Sequence, residues 1–246
     1  MSVSAPLAAI RAQHPLLHCI SNIVSANDCA NLALAIGASP IMAQAPQEMA
    51  DIAALAGAVV LNTGTPDEAK FTAARTAGAT ANRRSIPVVL DPVGVGATYL
   101  RQHTVHELLQ LFRFSAIRGN AGEIAFLAEA GHRSKGIDAG ALEADPLQTA
   151  QTVARRYQSI VVMTGAEDYI TDGHTTYLCR NGHPMMAVLV GTGCIASAVV
   201  GAFIAAHNHN MLEAAAAAIS FYGLCGETAA ASAQGPGSLQ TLLLDN

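Results

Sequence analysis

The sequence predicts an α/β fold in three layers: a mostly parallel central sheet with helices on both faces. Short apolar runs alternate with alanine-rich helical stretches along almost the whole chain. Those runs are continuously apolar rather than alternating, which is the pattern of parallel strands covered on both sides. A later Asp172-Gly173 pair between two further apolar runs signals a hairpin and adds an antiparallel edge.

Strands are expected at 16–20, 40–42, 58–62, 87–91, 116–117 and 159–163, then at 169–172 and 175–179 around the hairpin turn. Between them, helices are expected at 26–36, 47–55, 66–82, 104–111, 121–130 and 146–157. Helices at 195–206 and 211–233 close the chain, followed by a Gly235-Pro236-Gly237-Ser238 loop. The polar, glycine-containing stretch 131–145 is expected to be the most mobile loop. No linker, repeat or shift in composition divides the chain, so residues 1–246 are expected to form one domain.

Charged residues make up 13% of the 246, against about 25% in typical soluble proteins. So sparse a charge points to a partly covered surface and hence a homo-oligomer. Net charge is −5, Trp is absent and aromatics are 4%, so neither a basic stripe nor a base-stacking platform for nucleic acid exists. The five cysteines, Cys19, Cys29, Cys179, Cys194 and Cys225, form no C-x-x-C pair and so indicate neither zinc nor a redox motif. No basic segment leading into an apolar core opens the chain, which places the protein in the cytoplasm. The uncharged stretch 186–206 has the length of a membrane span, but the glycines at 191 and 193 split it into a short strand and a short helix.

Chemistry gathers where strands end. Gly191-Thr192-Gly193-Cys194 stands before a helix of small residues, so bare amides and the positive helix end make an anion site beside a thiol. The fourth strand runs into Asp91-Pro92-Val93-Gly94-Val95-Gly96, and the fifth into Arg118-Gly119-Asn120-Ala121-Gly122-Glu123. The sixth leads to Thr164-Gly165. Asp91 and Glu123 are hard oxygen donors of the kind magnesium takes beside phosphates. Arg118 can balance charge on a transferring phosphate, and Thr164 with the Gly165 amide can hold nucleotide phosphates. No G-x-x-x-x-G-K-[ST] is present, so this is not a P-loop protein. Gly191-x-Gly193-x-x-Ala196 with Glu213 matches the dinucleotide fingerprint only by accident, because Glu213 opens an alanine-rich helix rather than ending a strand.

Taken together these residues resemble the hydroxyethylthiazole kinase family of the ribokinase-like superfamily. The likeness runs from His18-Cys19-Ile20-Ser21-Asn22 and Gly37-Ala38-Ser39-Pro40-Ile41-Met42 through Leu90 to Ala97 and Ile117-Arg118-Gly119-Asn120. It continues through Val161 to Gly165 and Gly191-Thr192-Gly193-Cys194 to Gly235-Pro236-Gly237-Ser238. The resemblance implies a ribokinase-like fold and ATP- and Mg2+-dependent phosphorylation of the primary hydroxyl of 4-methyl-5-(2-hydroxyethyl)thiazole, in thiamine biosynthesis and salvage. It implies ATP contacts from Arg118 and Thr164 and thiazole contacts from Met42 and Gly191, with Asn22 in the substrate pocket. Asp91 and Glu123 would serve the metal and phosphates, and the family forms a homotrimer with sites between subunits. The superfamily usually carries an aspartate base where this family has the cysteine matched here by Cys194. Gly122 departs from a serine common before the glutamate.

Cys194 is accordingly expected to accept the substrate's hydroxyl proton, since a thiol at a helix N-terminus ionises more readily. A loose transfer needs little help from a base, so the other reading is a small residue fitted to the turn. Three rivals stand beside the thiazole kinase. A cysteine nucleophile needs a histidine partner, and none of His174, His183, His207 or His209 lies in a strand-end motif. A nucleotide sensor binds ATP without turnover, and a sister kinase acts on another small heterocyclic alcohol.

Overall fold

The computed structural model describes residues 3–129 and 145–245. Eight strands form one sheet: β1 (Leu16–Ile20), β2 (Ser39–Ile41), β3 (Ala58–Asn62), β4 (Val88–Asp91), β5 (Ala116–Asn120), β6 (Ile160–Thr164), β7 (Asp168–Thr171) and β8 (Thr176–Cys179). Their order is β2-β1-β3-β4-β5-β6-β7-β8. Strands β1 to β6 run parallel, and β7 pairs antiparallel with both β6 and β8. This is the expected three-layer α/β/α fold with its hairpin.

The helices are α1 (Ser4–Gln13), α2 (Ala26–Ala35), α3 (Met49–Leu55), α4 (Glu68–Arg83), α5 (Tyr99–Leu111), α6 (Ala121–Glu129), α7 (Pro146–Tyr157), α8 (Thr192–Ala206), α9 (Met211–Ser232) and α10 (Pro236–Asp245). One core joins β-strand residues such as Leu17, Val60 and Val89 to α1, α2, α8, α9 and α10, with Phe203 fully buried at its centre. The opposite core joins Leu61, Leu90 and Ile117 to α3 through α7. Strands 3 and 4 are buried at every position, which is why they read as unbroken apolar runs. Helix α8 lies close on the sheet because Gly201 has no side chain there. A Cβ at Gly201 would meet Val60 Cγ2 at 2.6 Å and Leu17 Cδ1 at 3.0 Å.

Several boundaries differ from expectation, each for a local reason. Helix α5 starts at Tyr99 rather than at 104, because the Thr98 hydroxyl accepts from the Arg101 amide and caps the helix there. Helix α8 starts at Thr192 rather than 195: Gly191 takes φ +90° and serves as the cap, so Cys194 lies inside the first turn. The short strand expected within 186–190 is instead a 3-10 helix, Pro184–Val188, closed by the Thr192 hydroxyl donating to the Met186 and Leu189 carbonyls at 3.1 and 3.3 Å. The expected Gly235–Ser238 loop is the start of α10. There Ser238 Oγ accepts from the Gln234 and Gly235 amides, and Pro236 occupies the first helical position. The N-terminal helix α1 was not expected. Of the 131–145 stretch only Asp145 is described; it caps α7 by accepting from the Leu147 amide at 3.0 Å. Among the described residues no helix is long and apolar enough to cross a membrane.

Candidate active site

The parallel strands β2, β1, β3, β4, β5 and β6 present their carboxyl ends in a row, and the expected residues stand along it in that order. Met42 follows β2, Asn22 follows β1, Asp91 ends β4, Arg118 lies in β5 and Thr164 ends β6. The start of α8 crosses this row. Its first internal hydrogen bond runs from the Ile195 amide to the Gly191 carbonyl, which leaves the amides of Thr192, Gly193 and Cys194 without an intrahelical partner. These donors and the helix dipole point out of the same helix end, an arrangement that can hold an anion.

Asp91 is fully buried. Its Oδ2 accepts from Asn62 Nδ2 at 2.7 Å and Ser197 Oγ at 2.9 Å. Oδ1 has no hydrogen-bond partner and faces Arg118 Nη1 at 3.9 Å. Burial pushes the Asp91 carboxyl above the ordinary carboxylate range, while the Arg118 charge opposes that and Glu123 adds to it. Arg118 also donates from Nη2 to Thr164 Oγ1 at 2.5 Å, and its guanidinium covers Gly193 closely enough that a Cβ there would meet Nη1 at 2.4 Å. The two expected ATP-contacting residues therefore touch, and the arginine lies against the helix N-terminus.

Glu123 begins a reciprocal cap. Its Oε2 accepts from the Asn120 amide and its Oε1 from the Gly94 amide, both at 2.8 Å, while Asn120 Oδ1 accepts from the Glu123 amide at 2.9 Å. The carboxylate thus ties the turn after β4 to the start of α6. The turn after β6 is held likewise by buried Asp168, whose Oδ1 accepts from the Gly165 amide at 2.9 Å.

On the other flank, Asn22 Oδ1 accepts from the Val24 and Ser25 amides at 3.0 and 3.1 Å. That fixes the amide so that Nδ2 donates to Asn62 Oδ1 and to Cys194 Sγ, each at 3.1 Å. A continuous chain of contacts therefore runs from Cys194 through Asn22 and Asn62 to Asp91 and Ser197. Gly191 fits tightly, since a Cβ on it would lie 2.9 Å from Ser25 Cβ. Met42 is half-buried, and the backbone just after it is held by buried His18, whose Nε2 donates to the Ala43 carbonyl at 3.1 Å. Burial lowers the His18 pKa, so its Nε2–H tautomer is the neutral donor.

Asn62 and Ser197 escaped the sequence reading. Asn62 ends β3 immediately before Thr63-Gly64, so the strand-end rule that singled out Asp91 would have found it. Ser197 lies one turn after Gly193 on α8, a position with no signal until the helix start is known. The cysteines other than Cys194 are buried and unpaired, and burial pushes Cys29 up to about 12.

An all-parallel row of strand ends crossed by a glycine-started helix, with a buried aspartate and an arginine at its N-terminus, is the architecture of a ribokinase-like phosphotransferase. A ribokinase-like superfamily protein from Enterococcus faecalis shares the fold with TM-score 0.69 at 13% identity, covering 100% of this chain and 93% of that one. The model of the hydroxyethylthiazole kinase family matches residues 7–246, and the chain belongs to that family and is a kinase. A hydroxyethylthiazole kinase of Methanoculleus marisnigri is 48% identical over 239 residues, 97% of this chain and 85% of the relative. One from Glaesserella parasuis is 45% identical over 242 residues, 97% of this chain and 90% of the relative. A solved hydroxyethylthiazole kinase structure from Pyrococcus horikoshii has TM-score 0.89 at 38% identity, covering 99% of this chain and 91% of that one.

Proposed function

We propose that residues 1–246 act as one kinase domain that phosphorylates the primary hydroxyl of 4-methyl-5-(2-hydroxyethyl)thiazole with ATP, a thiamine-related reaction. The carrying observation is that Asn22 contacts Cys194, and Arg118 contacts Asp91 while covering Gly193, all at the start of α8. The bond from the γ-phosphorus to the β,γ-bridging oxygen breaks, a bond to the alcohol oxygen forms, and the alcohol proton leaves to the site. ATP binds on the β5–β6 flank through Arg118 and Thr164. The thiazole lies on the β1–β2 flank against Met42, Gly191 and Asn22. The amides of Thr192, Gly193 and Cys194 take the charge on the transferring group, as donors preorganised for it.

Cys194 receives the hydroxyl proton, with Asn22 holding the sulfur. Asp91 and Glu123 would hold Mg2+: the buried Oδ1 of Asp91 is a hard oxygen donor with no hydrogen-bond partner, 3.9 Å from Arg118 Nη1, and one or two carboxylates beside phosphates are the usual set. Bound there, the ion neutralises charge on the phosphates.

A homotrimer with sites between subunits accords with the apolar residues left exposed beside the site. Ile23 and Val24 follow Asn22, and Val188 and Val190 precede Gly191, at 82%, 58%, 64% and 76% exposure. Five unpaired thiols accord with a cytoplasmic location. ADP release measured over a panel of thiazole, pyrimidine and pyridine alcohols tests the substrate. Preference for the thiazole alcohol is expected, and equal or greater turnover of another alcohol overturns it. Mass photometry tests the trimer, which a monomeric mass would refute.

A further inference from the structure

Lys70 is a cation that no step above uses. The chain has two lysines, Lys70 and Lys135, and Lys70 is only 4% exposed. It sits in the first turn of α4, where Asp67 caps the helix through the Lys70 amide. Side chains there point back toward the helix start, and its Nζ donates to the Gly64 carbonyl. Gly64 itself belongs to the site: its amide donates to Asn62 Oδ1 at 2.9 Å, and a Cβ on it would lie 3.1 Å from Asn22 Nδ2.

An ammonium carries three donors. Among the described residues that of Lys70 has one recorded hydrogen bond, to Gly64. Two N–H groups of a nine-tenths buried cation are left for something else, and a buried charge without partners is costly. Burial holds its pKa down to about 8, against the attraction of Asp67, Cys194 and Asp91, and Arg101 adds repulsion. Topology gives the position its meaning. Strands β3 and β4 stand between the nucleotide flank, β5–β6, and the acceptor flank, β1–β2. A phosphoryl group moving between flanks passes the middle of the row, where Lys70 and Asp91 stand.

We propose that Lys70 binds the phosphoryl group on its acceptor side, its two unspent N–H groups contacting the phosphate of the newly formed ester. This rests on the kinase reading and adds to it a residue that separates the phosphate ester from its parent alcohol. The experiment is calorimetry of the unphosphorylated thiazole alcohol and of its phosphate ester with wild-type protein, Lys70→Met and Lys70→Arg. Circular dichroism confirms the fold of each variant, and Lys70→Gln replaces Lys70→Met if that variant does not fold. Lys70→Met is expected to weaken the ester at least tenfold and the alcohol less than threefold, with Lys70→Arg restoring most of the ester affinity. Wild-type affinity for the ester is expected to fall between pH 7 and pH 9 and that of Lys70→Met to stay flat, because a phosphate monoester is already a dianion above pH 7. Equal loss for alcohol and ester would show that Lys70 only holds the Gly64 turn, and no loss for the ester would also overturn the proposal. A wild-type protein that neither binds nor phosphorylates the alcohol would instead overturn the kinase reading.

Discussion

Gly193→Ala separates the catalytic site from the stability of the fold. Gly193 is the second residue of α8, and a Cβ there would lie 2.4 Å from Arg118 Nη1, 2.9 Å from Nη2 and 3.0 Å from Cζ. All three atoms are the far end of a flexible side chain, so the arginine moves and the backbone does not. Alanine exceeds glycine by up to about 1 kcal/mol in helices, so the melting temperature should hold or rise by a few degrees, at roughly 2–4 °C per kcal/mol for a chain of this size. The displaced Arg118 loses Thr164 Oγ1 and its approach to Asp91. A contact from the Arg118 guanidinium to the ATP phosphates, lost with the displacement, would be a charge-assisted hydrogen bond of about 1.5–3 kcal/mol, equivalent to roughly 10–150-fold in kcat/KM for ATP. Coupled ADP release alongside a thermal melt measures both quantities. Unchanged kcat/KM for ATP, or a loss matched by a fall of several degrees in melting temperature, would refute this account of Arg118.

Three further outcomes are expected. Cys194→Ala should lower kcat by about 10²-fold or more if the thiol is the base, and a loss under threefold in single-turnover assays removes that role. Gly201→Ala should cost about 1–3 kcal/mol of stability by overpacking against Val60 and Leu17, read as a shift in the urea midpoint with little change in KM; an unchanged midpoint contradicts the close packing of α8. His18 has a folded-state pKa below its ordinary 6.5, so the unfolded chain binds the extra proton first on acidification. Stability should therefore fall as pH drops below about 6.5, and His18→Gln, which keeps a donor for Ala43, should flatten that slope in urea melts at pH 5 and pH 7. Equal slopes would assign the acid sensitivity to other groups.

The sheet was legible because buried parallel strands must be apolar throughout. The 16–20 and 58–62 runs are strands at those residues. The placement of residues at strand ends was legible too: Asp91, Arg118 and Thr164 stand at neighbouring ends, and Cys194 lies against Asn22. What escaped depends on tertiary context. Helix α1 has no side-chain cap to announce it, and the early start of α8 follows from a positive φ at Gly191 that sequence pattern does not display. Lys70 carried no motif, since its importance comes from burial beside Gly64 rather than from its neighbours in sequence.

Cys194 differs in accessibility from the other four thiols, all of which are buried. A mild electrophile should therefore tag the native protein at one position without any cysteine being engineered away. A label attached there would fill the space beside Asn22, so bound substrate should slow the tagging and the tagged protein should lose turnover.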